Sequence, residues 1–202
     1  VKTKSLVIPS AGSATPTTAY ISSTTAAGTA TSGSAALDVI NIATPSAMQG
    51  IAQVVVPESA LFFSFAYDNT LLLVAGNTAG LTTPGPNFAP SGNLTLTTMD
   101  VTNVQNPIPI NTLVTNYSTM GTYQAAALGS SIFAIVNDPP FTDPLGPSIL
   151  LIVDARNTHS PAVYPVVSQF GLYGMQAVTN SSGTEYLLVS DLQGLSIYQV
   201  TL

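Results

Sequence analysis

Leu151-Ile-Val-Asp-Ala-Arg-Asn-Thr-His-Ser-Pro161 decides the fold, because the same arrangement recurs along the chain. An apolar run meets an acid, a short polar stretch follows, and a proline closes the segment. Thr97-Thr-Met-Asp-Val-Thr-Asn-Val-Gln-Asn-Pro107 lays over it position by position, and Leu37-Asp-Val-Ile-Asn-Ile-Ala-Thr-Pro45 follows the same order with an amide in place of the acid and a shorter span to its proline. Leu195-Ser-Ile-Tyr-Gln-Val-Thr201 is a weaker fourth copy, with Gln199 at the acid position. Aliphatic and β-branched runs bounded by turn formers read as strands. Asn41, Asp100 and Asp154 then stand where strand gives way to turn. A short carboxylate or amide at such a place accepts backbone N–H groups from the residues just beyond it, and the proline rigidifies the entry to the next strand. These three are therefore expected to be turn-capping positions of a repeat, not ligands.

A second series runs upstream of the first: Leu71-Leu-Leu-Val-Ala-Gly-Asn77, Ile132-Phe-Ala-Ile-Val-Asn-Asp138 and Tyr186-Leu-Leu-Val-Ser-Asp191, with Ala19-Tyr-Ile-Ser-Ser23 as its first member. An earlier strand signature precedes each full copy (Leu61 to Tyr67, Tyr123 to Leu128, Tyr173 to Thr179). A later one follows the capping motif (Ile51 to Val56, Ile110 to Asn116, Ala162 to Ser168). Signatures recurring in one order define a unit, and each unit reads as a four-strand meander. Helical patterning is poor: Ser22 to Ala36 is diluted by Thr, Ser and Gly and has no apolar 3.6-residue period.

On these residues the chain resembles the LVIVD-repeat family of β-propellers, whose units carry a strand ending in apolar-Asp-Val-Ser-Asn-Pro followed by another strand. Leu151-Ile-Val-Asp154 and Met99-Asp-Val-Thr-Asn103 are the best copies; Asn41 and Gln199 depart from the acid. The likeness covers most of the region from Ala19 to Leu202 and implies an all-β, β-propeller-like repeat of about four four-stranded antiparallel blades. The motif is structural and brings no chemistry with it. Residues 17–202 are read as the repeat domain and residues 1–16 as an extended N-terminal arm or closing strand.

The strand count leaves the last blade incomplete after its third strand, to be completed by strand exchange, and the first unit has only Lys4 to Ile8 available as its earliest strand. Closure in cis would set Lys4 to Ile8 beside Leu195 to Val200. Closure in trans would add the arm to the open sheet edge of a neighbouring molecule, and head-to-tail repetition of that contact makes a filament. A third reading takes the chain as a piece of a longer propeller; its start at Val1 fits a processed product or a fragment.

Composition narrows the function. Charged residues are 6% of the chain, against about 25% in ordinary soluble domains, so hydroxyl and amide groups must cover the surface. Such a surface repels its copies weakly and tolerates self-association. A net charge of -6, with Lys2, Lys4 and Arg156 as the only cations, argues against neutralising a nucleic-acid backbone. Cysteine is absent, which removes disulfides, thiolate nucleophiles and Cys-type zinc sites. No run is long and apolar enough for a membrane-spanning helix.

Candidate chemistry is sparse. The single histidine, His159, shares one turn with Ser160 and Asp154; a triad can be written there, but the expectation is a solvated turn histidine. Asp138 and Asp143, around Pro139 and Pro140, are the weak metal candidates, short of the regular alternating ligands of a calcium loop. Asp68, Asp138 and Asp191 would ring one face if they ended equivalent strands, with turn capping the stronger reading. Asn93, Asn116 and Asn180 open N-x-S/T sequons and are candidate glycosylation positions. The aromatic residues are expected in the core between blades.

Together these readings indicate a non-enzymatic structural or adhesive protein, extracellular or at the cell surface, acting as a self-assembling filament or surface-layer subunit joined by β-strand complementation. The alternative is a monomeric propeller binding a protein or carbohydrate ligand. No cofactor, metal, nucleic acid or membrane span is expected on either reading.

Overall fold

The computed structural model describes residues 6–7, 17–24, 35–78, 92–119, 122–137, 147–169, 171–172 and 174–201. Among them the fold is all-β, with one short 3-10 turn at Pro45–Ala47 and no α-helix. Fifteen strands form four antiparallel sheets, and within each sheet every strand pairs with its neighbour in sequence. The first sheet is β1 (Leu6–Val7), β2 (Thr18–Thr24), β3 (Ala35–Asn41) and β4 (Gln49–Val55). The second is β5 (Leu61–Asp68), β6 (Leu71–Asn77), β7 (Gly92–Asp100) and β8 (Ile108–Thr119). The third is β9 (Thr122–Gly129), β10 (Ile132–Asn137), β11 (Ser148–Asp154) and β12 (Ala162–Gln169). The fourth has three strands, β13 (Gly174–Thr179), β14 (Glu185–Asp191) and β15 (Gly194–Val200).

The second strand of each unit explains why the core sits between sheets. In β6, Leu72 and Val74 join a cluster with Tyr20, Leu37 and Val39 of the first sheet, while Leu71 and Leu73 join another with Phe133, Ile135, Leu151 and Val153 of the third. A strand covered on both faces needs a continuous apolar run instead of an alternation, and Leu71-Leu-Leu-Val-Ala and Ile132-Phe-Ala-Ile-Val are such runs, buried throughout. A third cluster sets Ile132, Ala134, Val136 and Leu150 against Leu187 and Val189 of β14. The sheets thus pack in chain order, first on second, second on third, third on fourth. Among the described residues no comparable packing joins the fourth sheet to the first.

The arm does not close the last sheet in cis at the residues described. Leu6 and Val7 pair with Ile21 and Tyr20 of β2, and so complete the first sheet instead of lying beside Leu195 to Val200. The cost of loop closure rises with the length closed, which favours pairing with the next strand over pairing with the far end of the chain. Residues 1–5 and 8–16 of the arm lie outside the described residues.

Candidate functional site at the open fourth sheet

The capping motif builds the same turn three times. Asn41 Oδ1 accepts the amide of Ala43 at 2.9 Å, Asp100 Oδ1 the amide of Thr102 at 2.8 Å and its hydroxyl at 2.6 Å, and Asp154 Oδ1 the amide of Arg156 at 3.1 Å. The next residues, Ile42, Val101 and Ala155, each donate an N–H at 2.9 Å to the carbonyls of Thr17, Thr70 and Ser131, just before the second strand of their own unit. Each capped turn is thereby tied to the strand entry beside it. Two copies add a second cap, from Asn103 Oδ1 to the Gln105 amide (3.1 Å) and from Asn157 Oδ1 to the His159 amide (3.3 Å). The hydroxyl and amide of Thr102 hold the Asp100 carboxyl below the usual carboxylate range, and the Arg156 side chain does the same for Asp154. Gln199 differs: it lies inside β15, opposite Tyr186, and ends no strand.

The remaining candidates do not converge. Asp154 is engaged by Arg156 at 2.6 Å, whereas His159 Nδ1 lies 3.3 Å from Thr158 Oγ1. Both hang from an exposed turn, and no triad forms from Asp154, His159 and Ser160. Asp138 and Asp143 lie outside the described residues. Asp68 ends the first strand of its unit and Asp191 the second strand of its own. Consecutive antiparallel strands run in opposite directions, so the two acids sit at opposite ends of their sheets and share no face. Asp68 instead accepts the Ser131 amide of the neighbouring sheet at 2.6 Å, and Asp191 accepts the amides of Gln193 (2.7 Å) and Gly194 (2.9 Å). Asn93, Asn116 and Asn180 are all exposed. The Asn180 side-chain oxygen also organises its turn, accepting from the Ser182 amide at 3.0 Å and the Thr184 amide at 2.9 Å. Among the described residues no three His, Asp or Glu side chains are grouped so as to hold a metal ion, and no helix is long and apolar enough to cross a membrane.

What the residue inventory missed is an opening made by a strand count. At the second junction Val163 of β12, the fourth strand of the sheet that follows, packs on the cluster. Among the described residues the third junction has no fourth strand on the β15 side. A groove of about 370 Å³ occupies that place, walled by Ile152, Tyr164 and Val166 of the third sheet and by Leu187, Tyr198 and Val200 of the fourth. Tyr164 is left 54% exposed and Val166 49%. Most aromatic residues with described side chains follow the expectation of a core role, as Tyr20, Phe65 and Phe133 do; Tyr164 does not, because nothing described covers it. The far face of the fourth sheet is open as well, with Leu195 63% and Ile197 62% exposed. The signal in the sequence was the alternation in Leu195-Ser-Ile-Tyr-Gln-Val, which differs from the unbroken apolar runs of β6 and β10.

No protein-family model matches the chain, and no curated protein matches it in sequence.

Proposed function

We propose that this chain is a non-enzymatic structural or adhesive protein of the extracellular or cell-surface space, a self-associating subunit completed by β-strand addition at its fourth sheet. On this reading the four sheets are blades of an incomplete, propeller-like LVIVD-type repeat, and the capped turns at Asn41, Asp100 and Asp154 are its structural signature. One observation carries the proposal: the β15 edge is unpaired among the described residues, directly above a groove whose wall, Tyr164 and Val166, is uncovered. An exposed strand edge is a template for another strand, and covering a large apolar side chain contributes roughly 1.5–3 kcal/mol. A chain with 6% charged residues sets little repulsion against such an approach.

The groove also favours a second reading, a binding module for a protein segment or a carbohydrate, because the exposed Tyr164 ring and the Asp154–Arg156 pair line it together. Electron microscopy of the purified chain, with its mass in solution measured over a range of concentrations, separates the two. Filaments, layers or defined oligomers are expected; a monomer at every concentration rejects the structural reading and leaves the binding module.

A further inference from the structure

We infer that Asn180, on the turn between β13 and β14, is the acceptor of an N-linked glycan. Three asparagines open N-x-S/T sequons, and their surroundings tell them apart. Asn93-Leu-Thr95 runs into β7, where its hydroxyl is out of reach: Thr95 is fully buried and its Oγ1 lies 2.6 Å from Ser59 Oγ. Asn116-Tyr-Ser118 lies along β8, and residues two apart in a strand stand about 6–7 Å from each other along it. Asn180-Ser-Ser182 belongs to no strand. The turn from first to second strand takes two residues in the second sheet (69–70) and two in the third (130–131), but five in the fourth (180–184). The sequon thus occupies the lengthened part of a turn that is tight in the neighbouring units.

That turn is built around the asparagine. Asn180 Oδ1 accepts from the Ser182 amide at 3.0 Å, the Ser182 hydroxyl at 2.7 Å and the Thr184 amide at 2.9 Å, an Asx turn that sets the sequon hydroxyl against the side chain it belongs with. The Asn180 amide donates to the Thr184 carbonyl and the Gly183 amide to the Asn180 carbonyl, each at 3.0 Å, and Gly183 supplies the left-handed conformation at φ +83°. Residues Asn180, Ser181, Ser182 and Gly183 are all exposed. The side-chain oxygen is engaged three times, while Nδ2 donates to nothing among the described residues and faces solvent. The co-substrate is a lipid-linked oligosaccharide pyrophosphate. Nδ2 bonds its anomeric carbon, the anomeric C–O bond breaks, the lipid pyrophosphate leaves with the electron pair, and one Nδ2 proton passes to a base of the transferring enzyme. The modification rests on the extracellular placement proposed above, because a glycan of this kind belongs to exported surface loops.

Two measurements test the assignment. In the first, folded chain made without glycans is incubated with a purified oligosaccharyltransferase and a lipid-linked oligosaccharide, and glycopeptides are mapped by mass spectrometry. Asn180 should be modified roughly tenfold more than Asn93 or Asn116. Asn180→Gln should lose that glycopeptide, Ser182→Ala should lower it roughly tenfold, and Ser182→Thr, which keeps the hydroxyl, should retain it; circular dichroism verifies that each variant folds. No product at Asn180, or equal product at all three sequons, overturns the assignment. The second measurement maps the native chain recovered from the medium and from inside the cell. A glycan on Asn180 of the exported chain supports the modification. An exported chain bare at Asn180 overturns the modification and leaves the extracellular reading standing, whereas a bare chain found only inside the cell overturns both.

Discussion

Two phenols on one core cluster should respond in opposite directions to loss of the hydroxyl. Tyr20 is fully buried and donates its hydroxyl to the Val104 carbonyl at 2.8 Å, whereas the Tyr67 hydroxyl, packed on the same cluster, is buried with no partner among the described residues. A made hydrogen bond contributes about 0.5–1.5 kcal/mol net, while a buried unsatisfied polar group costs about 1–3 kcal/mol. Tyr20→Phe should therefore destabilise by about 1 kcal/mol or slightly more, because the Val104 carbonyl is left unpaired. Tyr67→Phe should be neutral or stabilising by about 1 kcal/mol. With a urea slope of about 2–3 kcal/mol per molar, the midpoints should move by roughly 0.4 M in opposite senses. Alkaline titration gives an independent reading. Burial raises both phenol pKa values, with Tyr67 adding to the rise at Tyr20 and Asp68 to that at Tyr67. A folded pKa above the unfolded value near 10 means that this stabilisation is whole below about pH 10 and is lost as pH rises through the folded value. Each Phe variant should flatten that alkaline decline. A Tyr67→Phe midpoint that falls as far as that of Tyr20→Phe would refute the reasoning.

The remaining predictions concern the turns and the open end. Gly129 has φ +83°, and a Cβ there would lie 2.7 Å from Glu185 Oε1; Gly129→Ala should cost about 1–2 kcal/mol for the left-handed conformation alone, read as a drop of several degrees in Tm. The folded pKa values of Asp100 and Asp154 are depressed, so their contribution is present above about pH 4 and fades as pH falls through the folded values. Asp100→Asn keeps the oxygen acceptor, as Asn41 does in the first sheet. It should leave neutral-pH stability close to that of wild type and reduce the slope of an acid titration followed by circular dichroism. In hydrogen exchange on dilute protein, the amides of β13 to β15 should be the least protected of the strand amides, because among the described residues that sheet has one covering neighbour and three strands; equal protection across all four sheets would contradict this.

Most of the architecture was legible because each level of the sequence agrees with the others. Unbroken apolar runs mark strands covered on both faces, as in β6 and β10, and the acid or amide after the next strand marks the turn that Asn41, Asp100 and Asp154 cap. Two things were not legible. One was the choice between two destinations for the arm: Lys4 to Ile8 could serve as the earliest strand of the first unit or close the last blade, and the register of Leu6 and Val7 on β2 supports the former. The other was the fourth copy of the motif. Gln199 aligns by composition, yet β15 runs on past it to Val200, because no turn former follows as Asn103 and Asn157 do in the better copies. The groove escaped residue-by-residue reading altogether. It is made by what stands beside Tyr164 and Val166, not by what those residues are.

The same logic explains why the candidate site lies at the end of the stack and not at its centre. In a chain of units where each packs only on its neighbours, stability is a sum of unit terms and junction terms. Among the described residues the second and third sheets make two junctions each, and the first and fourth make one each. The intrinsic term of the fourth is also weaker, since β15 has one hydrogen-bonded neighbour among the described residues while β11, the equivalent third strand of the preceding sheet, has two. The fourth sheet is thus the element whose opening costs least and the one that gains most from an added strand or a covering face. Anything that binds the closed form and not the open one stabilises the closed form by mass action. Association at this end would therefore tie the folding of the weakest sheet to the presence of a neighbour. The polar turns, exposed and already satisfied by their own caps, have no such deficit and offer a partner far less.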